Sequence, residues 1–134
     1  MSVAAIRKAL ETQLNSMTPA IDYAWENVAY TPTAGVPYAG VNLLLAAPAN
    51  IEMGPGYLEQ GYLQVSLFYP KDATAADATA RAEAIRAAFP FAASFTNSGT
   101  VVNITATPEI GPARPDADRF LVPVKIRFSA YIGG

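Results

Sequence analysis

Two pairs of acidic side chains come closest to a chemistry-bearing pattern in this chain. Asp116 with Asp118, and Glu52 with Glu59, could be read as acid–base partners or as ligands for a metal. Both pairs fall in stretches rich in proline and glycine, where solvated acids are the ordinary occupants. Histidine is absent, which removes the usual general base near neutral pH and the commonest metal ligand. Cysteine is absent too, which excludes disulfides, iron–sulfur clusters, thiol catalysis and Cys-ligated zinc. No glycine-rich phosphate loop, metal-ligand spacing or serine-centred elbow occurs. Gly54-Pro55-Gly56 puts a proline where a phosphate cradle needs a free backbone N–H, so it reads as a turn. The expectation is therefore no catalytic residue, no cofactor site and no metal site.

What is left is surface chemistry. Lys125 and Arg127 stand two apart in an extended stretch and so project from one face, opposite an apolar stripe. They read either as a solvated outer face or as groups that meet carboxylates of a neighbouring subunit or border a channel. The 7 tyrosines suit half-buried sheet positions and protein interfaces equally well.

Residues 61–90 show most clearly what must position such a face. Leu63, Val65, Leu67 and Tyr69 alternate up to Pro70, and then Ala78, Ala82, Ile85 and Phe89 recur at helical spacing up to Pro90. A period of two switching to one near 3.6 across a proline means a strand and a helix sharing one core. Thr74, with Asp77 three residues on, approximates a capping box, and Asp77 with Arg81 forms an i,i+4 pair expected on the outer face.

Residues 2–17 predict an amphipathic helix, with Val3, Ile6, Leu10, Leu14 and Met17 inward, Arg7 and Glu11 paired outside, and Thr18-Pro19 as its stop. A short strand is expected over 22–28, carrying the only Trp, Trp25. A second, over 38–47, is apolar on both faces through Val41, Leu43, Leu44 and Leu45, as for a central strand between helices and a partner subunit. Residues 49–60 read as a long loop ending in exposed-looking Tyr57 and Leu58, and residues 108–118 as a second. Strands are expected over 100–107 and 120–131, the latter with Pro123 at an edge or a bulge because it cannot donate to a ladder. The resulting order is α-β-β-β-α-β-β. It predicts an α+β domain over residues 1–134, with a mostly antiparallel sheet of about five strands and two helices packed on one face.

A chain of 134 residues with 51% hydrophobic and 15% charged residues buries a real core, and such low charge suits a surface partly hidden against copies of itself. Net charge −2 argues against coating nucleic acid, which needs clustered positive charge. No signal peptide is visible and no apolar run approaches the ~20 residues of a membrane span, so the expectation is a cytosolic protein without a membrane partner.

Trp25-Glu26-Asn27-Val28-Ala29-Tyr30-Thr31-Pro32, with Pro37-Tyr38 shortly after, resembles the opening motif of the phage tail terminator-like family. Gly61-Tyr62-Leu63-Gln64-Val65 running to Tyr69-Pro70, the alanine-rich helix closing on Ala88-Phe89-Pro90, and Val122-Pro123-Val124 are similar to later motifs of that family. One departure is Lys71-Asp72-Ala73, where relatives often carry glycine, which affects only the turn. The resemblance covers nearly the whole chain. It implies a non-enzymatic tail completion protein in the virion, made in host cytoplasm, that forms a hexameric ring at the head-proximal end of the tail tube. Such a ring stops tube polymerisation and offers the head-docking surface. The implied partners are other copies, the tail tube protein and a head-completion or connector protein, with DNA only as cargo through the ring. Candidate subunit or tube contacts are Tyr57, Leu58, Glu59, Arg114, Lys125 and Arg127. A head–tail connector or neck protein is the near alternative. From another class, a small ligand-binding domain or carboxylate/Tyr enzyme stands as the second alternative.

Overall fold

A computed structural model describes residues 2–17, 22–25, 31, 36–50, 54–70, 75–116 and 119–132. Helix α1 (Ser2–Asn15) follows from the amphipathic pattern: Ile6, Leu10 and Leu14 are fully buried, and Arg7 reaches Glu11 across one turn at 3.9 Å. It stops two residues before the expected end, and Met17 still packs on the core. Thr18 and Pro19, its expected stop, lie outside the described residues.

Strand β1 (Asp22–Ala24) is followed by β2 (Tyr38–Leu45) and by β3 (Tyr57–Pro70). Helix α2 (Ala75–Ala88) then buries Ala78, Ala82 and Ile85, with Phe89 just past its end, all four expected from the spacing. Thr74, the expected cap, is outside the described residues. Strands β4 (Ser94–Asn97), β5 (Thr100–Ile104), β6 (Glu109–Ile110), β7 (Arg114–Asp116) and β8 (Arg119–Ile132) complete the chain. The sheet order is β1-β2-β3-β8-β5-β4, with β6 and β7 also paired to β8. Strands β3 and β8 form its spine, antiparallel from Tyr57↔Ile132 to Pro70↔Arg119.

The α+β class holds, and the expected sheet is corrected. The sheet has eight strands where about five were expected, and it is mixed, one pairing among the described strands being parallel and the others antiparallel as expected. The parallel pairing is β1 on β2, with residues 25–37 between them. Parallel neighbours need a crossover of about a dozen residues or more, and this connection is long enough. The extra strands come from places with little alternation. β6 and β7 are two and three residues long inside the 108–118 stretch that reads as a loop, and they exist by pairing to β8. β4 arises from a hairpin at Ser98-Gly99, whose φ values of 50° and 80° fit a tight two-residue turn with the hand of the strands.

Pro123 lies inside β8, opposite Ser66 of β3. On its other side three residues, 111–113, stand against Val122 and Pro123, so of the two expected settings the bulge holds and the edge does not. Its carbonyl accepts from Gly111 N at 2.8 Å, so its polar edge points away from β3. There β6 and β7 are interrupted by Gly111, Pro112 and Ala113, and the missing N–H costs no ladder bond.

Both helices bury into a single core cluster on one side of the sheet. Leu63, Val65 and Leu67 of β3 meet Val122, Val124 and Ile126 of β8 beneath Ile6, Leu10, Ala82 and Ile85. Arg81, expected outside beside Asp77, is only 6% exposed. Its Nη2 donates to Tyr23 Oη at 2.9 Å, and that hydroxyl donates to Leu14 O, so a partly buried polar bridge joins α2, β1 and α1. Gln13 Nε2 donates to Ala88 O at the end of α2, a second tie between the helices.

Candidate functional site

Alternation assigns each strand residue to one of two faces, and the face away from the core carries no helix among the described residues. It presents Leu58, Gln60, Tyr62 and Gln64 of β3 and Pro123, Lys125, Arg127, Ser129 and Tyr131 of β8. Register places Tyr62 opposite Arg127 and Gln64 opposite Lys125, while Leu44 of β2 lies on the other side of Tyr62. Both cations reach over the tyrosine ring: Lys125 Nζ is 5.1 Å and Arg127 Cζ 5.9 Å from its centroid. Contacts of this kind contribute about 0.5–1 kcal/mol each at exposed sites, enough to orient a side chain.

Short strand β6 adds the carboxylate of this face. Glu109 stands opposite Lys125 in register, yet its Oε1 accepts from Arg127 Nη2 at 3.0 Å. Their side chains are 48% and 61% exposed, so the pair is a surface bridge. Lys125 and Arg114 have no carboxylate within 4 Å among the described residues. Gln64, Glu109, Gly111, Pro112, Arg114, Pro123 and Lys125, together with Ile110, line a groove of about 520 Å³ on this face. Gly111 is required there, because a Cβ at that position would lie 2.7 Å from Pro123 Cγ and push β6 off β8.

Towards the other end of β8 the same face turns apolar. Tyr131 is 45% exposed and sits opposite Leu58. Leu44 is 41% and Val101 42% exposed, and the β5–β8 register carried on two residues brings Val101 beside Tyr131. An apolar end with an adjacent cationic groove is the makeup of a recognition surface. A second concavity of about 620 Å³ lies on the outside of α1 against Trp25, where Arg7 already meets Glu11.

The six candidate contact residues separate. Lys125, Arg127 and Arg114 belong to one neighbourhood, the first two over Tyr62 and the third in the groove. Tyr57, Leu58 and Glu59 are not at a loop end: β3 begins at Tyr57, and Ala49 and Leu58 exchange backbone hydrogen bonds. Tyr57 and Leu58 are half-buried, and Glu59, opposite Ala130, is buried on the helix side. Leu58 alone of these three shares the open face. Glu52 and Asp118 lie outside the described residues, so the acid pairs are not seen together. No group of three or more acidic, His or Cys side chains among the described residues could hold a metal. Sequence reasoning missed Tyr62 and Glu109. Tyr62 was findable, since residue 62 shares the parity of Gln64 against the buried Leu63; Glu109 carried no local signal.

Tyr69 titrates abnormally, at the far end of β3. Burial pushes its phenol above the usual range, the Asp77 carboxylate adds to that, and the Arg81 guanidinium opposes it. Its ring tilts against Phe120 at 6.2 Å on the core side, away from the groove.

A family model described as phage tail terminator protein matches residues 5–128. Among curated proteins no sequence matches. A solved structure without a descriptive name superposes with a TM-score of 0.82 at 24% identity, over 100% of this chain and 99% of that one. A chain from the virion of a native gene transfer agent particle superposes with a TM-score of 0.67 at 20% identity, over 97% of both chains. Both likenesses are of fold.

Proposed function

The chain belongs to the phage tail terminator family, matched over residues 5–128, and from that premise we propose that it ends the tail tube as a ring of identical subunits at the head-proximal end. Family membership makes it a structural protein of the virion tail. In our reading the ring stops addition of tube subunits, presents the surface on which the head docks, and acts without chemical turnover. Six copies match the symmetry that the resemblance implies.

The observation that carries this reading is the open sheet face. Leu44, Tyr131 and Val101 are all more than 40% exposed on a side of the sheet that no described helix covers. Exposed apolar side chains such as Leu44 and Val101 beside a charged groove are the makeup of a recognition surface. A ring asks for heterologous contact, one surface of each subunit meeting a different surface of the next, and a sheet with helices on one side only supplies two unlike surfaces.

Electron microscopy of tail tubes polymerised with and without the protein tests this. The expected result is tubes arrested at a defined length, each capped at one end by a ring. Tubes whose length and ends are the same with or without the protein would overturn the reading.

A further inference from the structure

We infer that the cationic groove on the open sheet face receives the exposed stripe of α2 from the next copy, with Glu83 set between Lys125 and Arg114; this rests on the ring reading and names its contact. Three observations lead there. Lys125 and Arg114 are cations without a carboxylate within 4 Å among the described residues. Glu83 is an exposed carboxylate on α2 that likewise has no cation within 4 Å among the described residues. Along the outer side of the helix Ala76, Ala80, Glu83 and Ala87 recur at i, i+4, i+7 and i+11 and all are exposed, flanked by Thr79 and by Arg86, whose Nε donates to Pro108 O.

The dimensions agree. The stripe from Ala76 to Ala87 extends about 16 Å at the helical rise per residue. Arg114 stands opposite Leu121 and the groove ends at Lys125, about 14 Å along β8 at the strand rise per residue. Alanines let the helix backbone approach closely, and one acid among them meets a groove whose lining charges (Arg114 and Lys125 against Glu109) are net positive, with Glu109 already engaged by Arg127. Groove and stripe lie on opposite sides of the molecule, because α2 covers the core face of the sheet and the groove opens on the other. A contact between them cannot be satisfied within one subunit or by a two-fold pair. It repeats from copy to copy, as a ring requires.

Charge reversal tests the pairing in the full-length chain. Glu83→Lys and Lys125→Glu should each weaken ring formation on tail tubes by about tenfold or more, and the combined variant should recover most of it, as coupled partners do. Thermal melting of Glu83→Lys should match the unaltered protein, and the variants carrying Lys125→Glu should melt only a few degrees lower through loss of the contact over Tyr62, so all three stay folded. As a readout independent of charge, Glu83→Cys with Lys125→Cys places the chain's only two thiols across the contact, and a short bis-maleimide should then give a ladder of linked subunits from assembled rings. Single reversals that form rings normally, a combined variant no better than either single one, or rings that yield no ladder would each overturn the assignment. Rings that form normally with Lys125→Glu but no longer dock heads would also overturn it, pointing to an acidic segment of another protein in the groove. If the unaltered protein forms no ring on tubes, the terminator reading fails before any variant is made. Rings that form but ignore the reversals leave that reading standing and remove only the contact.

Discussion

The two faces of β3 and β8 share one backbone and one register, yet differ in nearly everything else. On the helix side Leu63, Val65, Val124 and Ile126 have no exposed surface. One residue along, Tyr62, Gln64 and Lys125 are half-buried and Arg127 is exposed. Burial on the first face stabilises the fold by about 1.5–3 kcal/mol for each large apolar side chain. On the second face the contacts around Tyr62 are weak and partly solvated: two cations over its ring and the Arg127–Glu109 ion pair, beside exposed Leu44 and Val101. Towards Pro70, Arg119 is buried over the Tyr38 ring and Tyr38 stacks on Phe68. The same strands thus divide folding from recognition by parity alone. Open-face substitutions should spare the fold and change assembly, and helix-face substitutions should do the reverse.

The largest expected effect tests that division directly. Leu63→Ala removes a fully buried side chain and leaves a cavity, so it should cost about 2–5 kcal/mol of folding stability. Leu44→Ala, one strand over and 41% exposed, should cost within about 0.5 kcal/mol. Urea unfolding followed by circular dichroism checks the pair, with the slope unchanged and only the midpoint moving. A Leu44→Ala cost equal to that of Leu63→Ala would mean that the face is already covered in the isolated subunit.

The helix face was almost wholly legible in the sequence, and the open face only in outline. Alternation at 63, 65, 67 and 69 and the spacing of Ala78, Ala82, Ile85 and Phe89 depend on local periodicity, which a single core rewards directly. The α+β class follows from those two patterns. What escaped depends on pairing between distant segments. Glu109 reaches Arg127 because two residues, Glu109 and Ile110, add to the edge of β8, and nothing within that dipeptide signals a strand. Arg81 looks like half of an outer i,i+4 pair until Tyr23, 58 positions away, offers a half-buried acceptor. The parallel placement of β1 likewise depends on a long connection and not on local pattern.

A second test sharpens the contrast from the helix side. The Tyr69 phenol is raised by burial, with Asp77 adding and Arg81 opposing. The folded state therefore holds this proton more tightly than the unfolded chain, whose phenol releases it near about pH 10. The stabilisation from Tyr69 is fully present below that pH and is lost as pH rises through the raised folded value, because the unfolded state then binds fewer protons. Unfolding free energy measured from pH 8 to 11.5 in the native sequence and in Tyr69→Phe should show a steeper alkaline decline in the former. Identical slopes would mean that Tyr69 is as solvated as an open-face residue.

The smallest effect belongs to the Arg127–Glu109 bridge. Both side chains are about half exposed, so water and salt screen the pair, and ordering two long side chains offsets much of the attraction. A double-mutant cycle with Arg127→Ala and Glu109→Ala in the isolated subunit should give a coupling of about 0.2–1 kcal/mol. Raising salt to about 1 M shortens the screening length to ~3 Å and should remove most of it. Coupling well above that range in the monomer would mean that the pair is already shielded and the face is not open. On rings the direction reverses: once the face is covered, water leaves the bridge, the same two substitutions should couple more strongly, and their joint effect on ring stability should lose its sensitivity to salt. A bridge equally weak and equally salt-sensitive in monomer and ring would place the Arg127–Glu109 pair outside the contact and confine that contact to the Arg114 end of the groove.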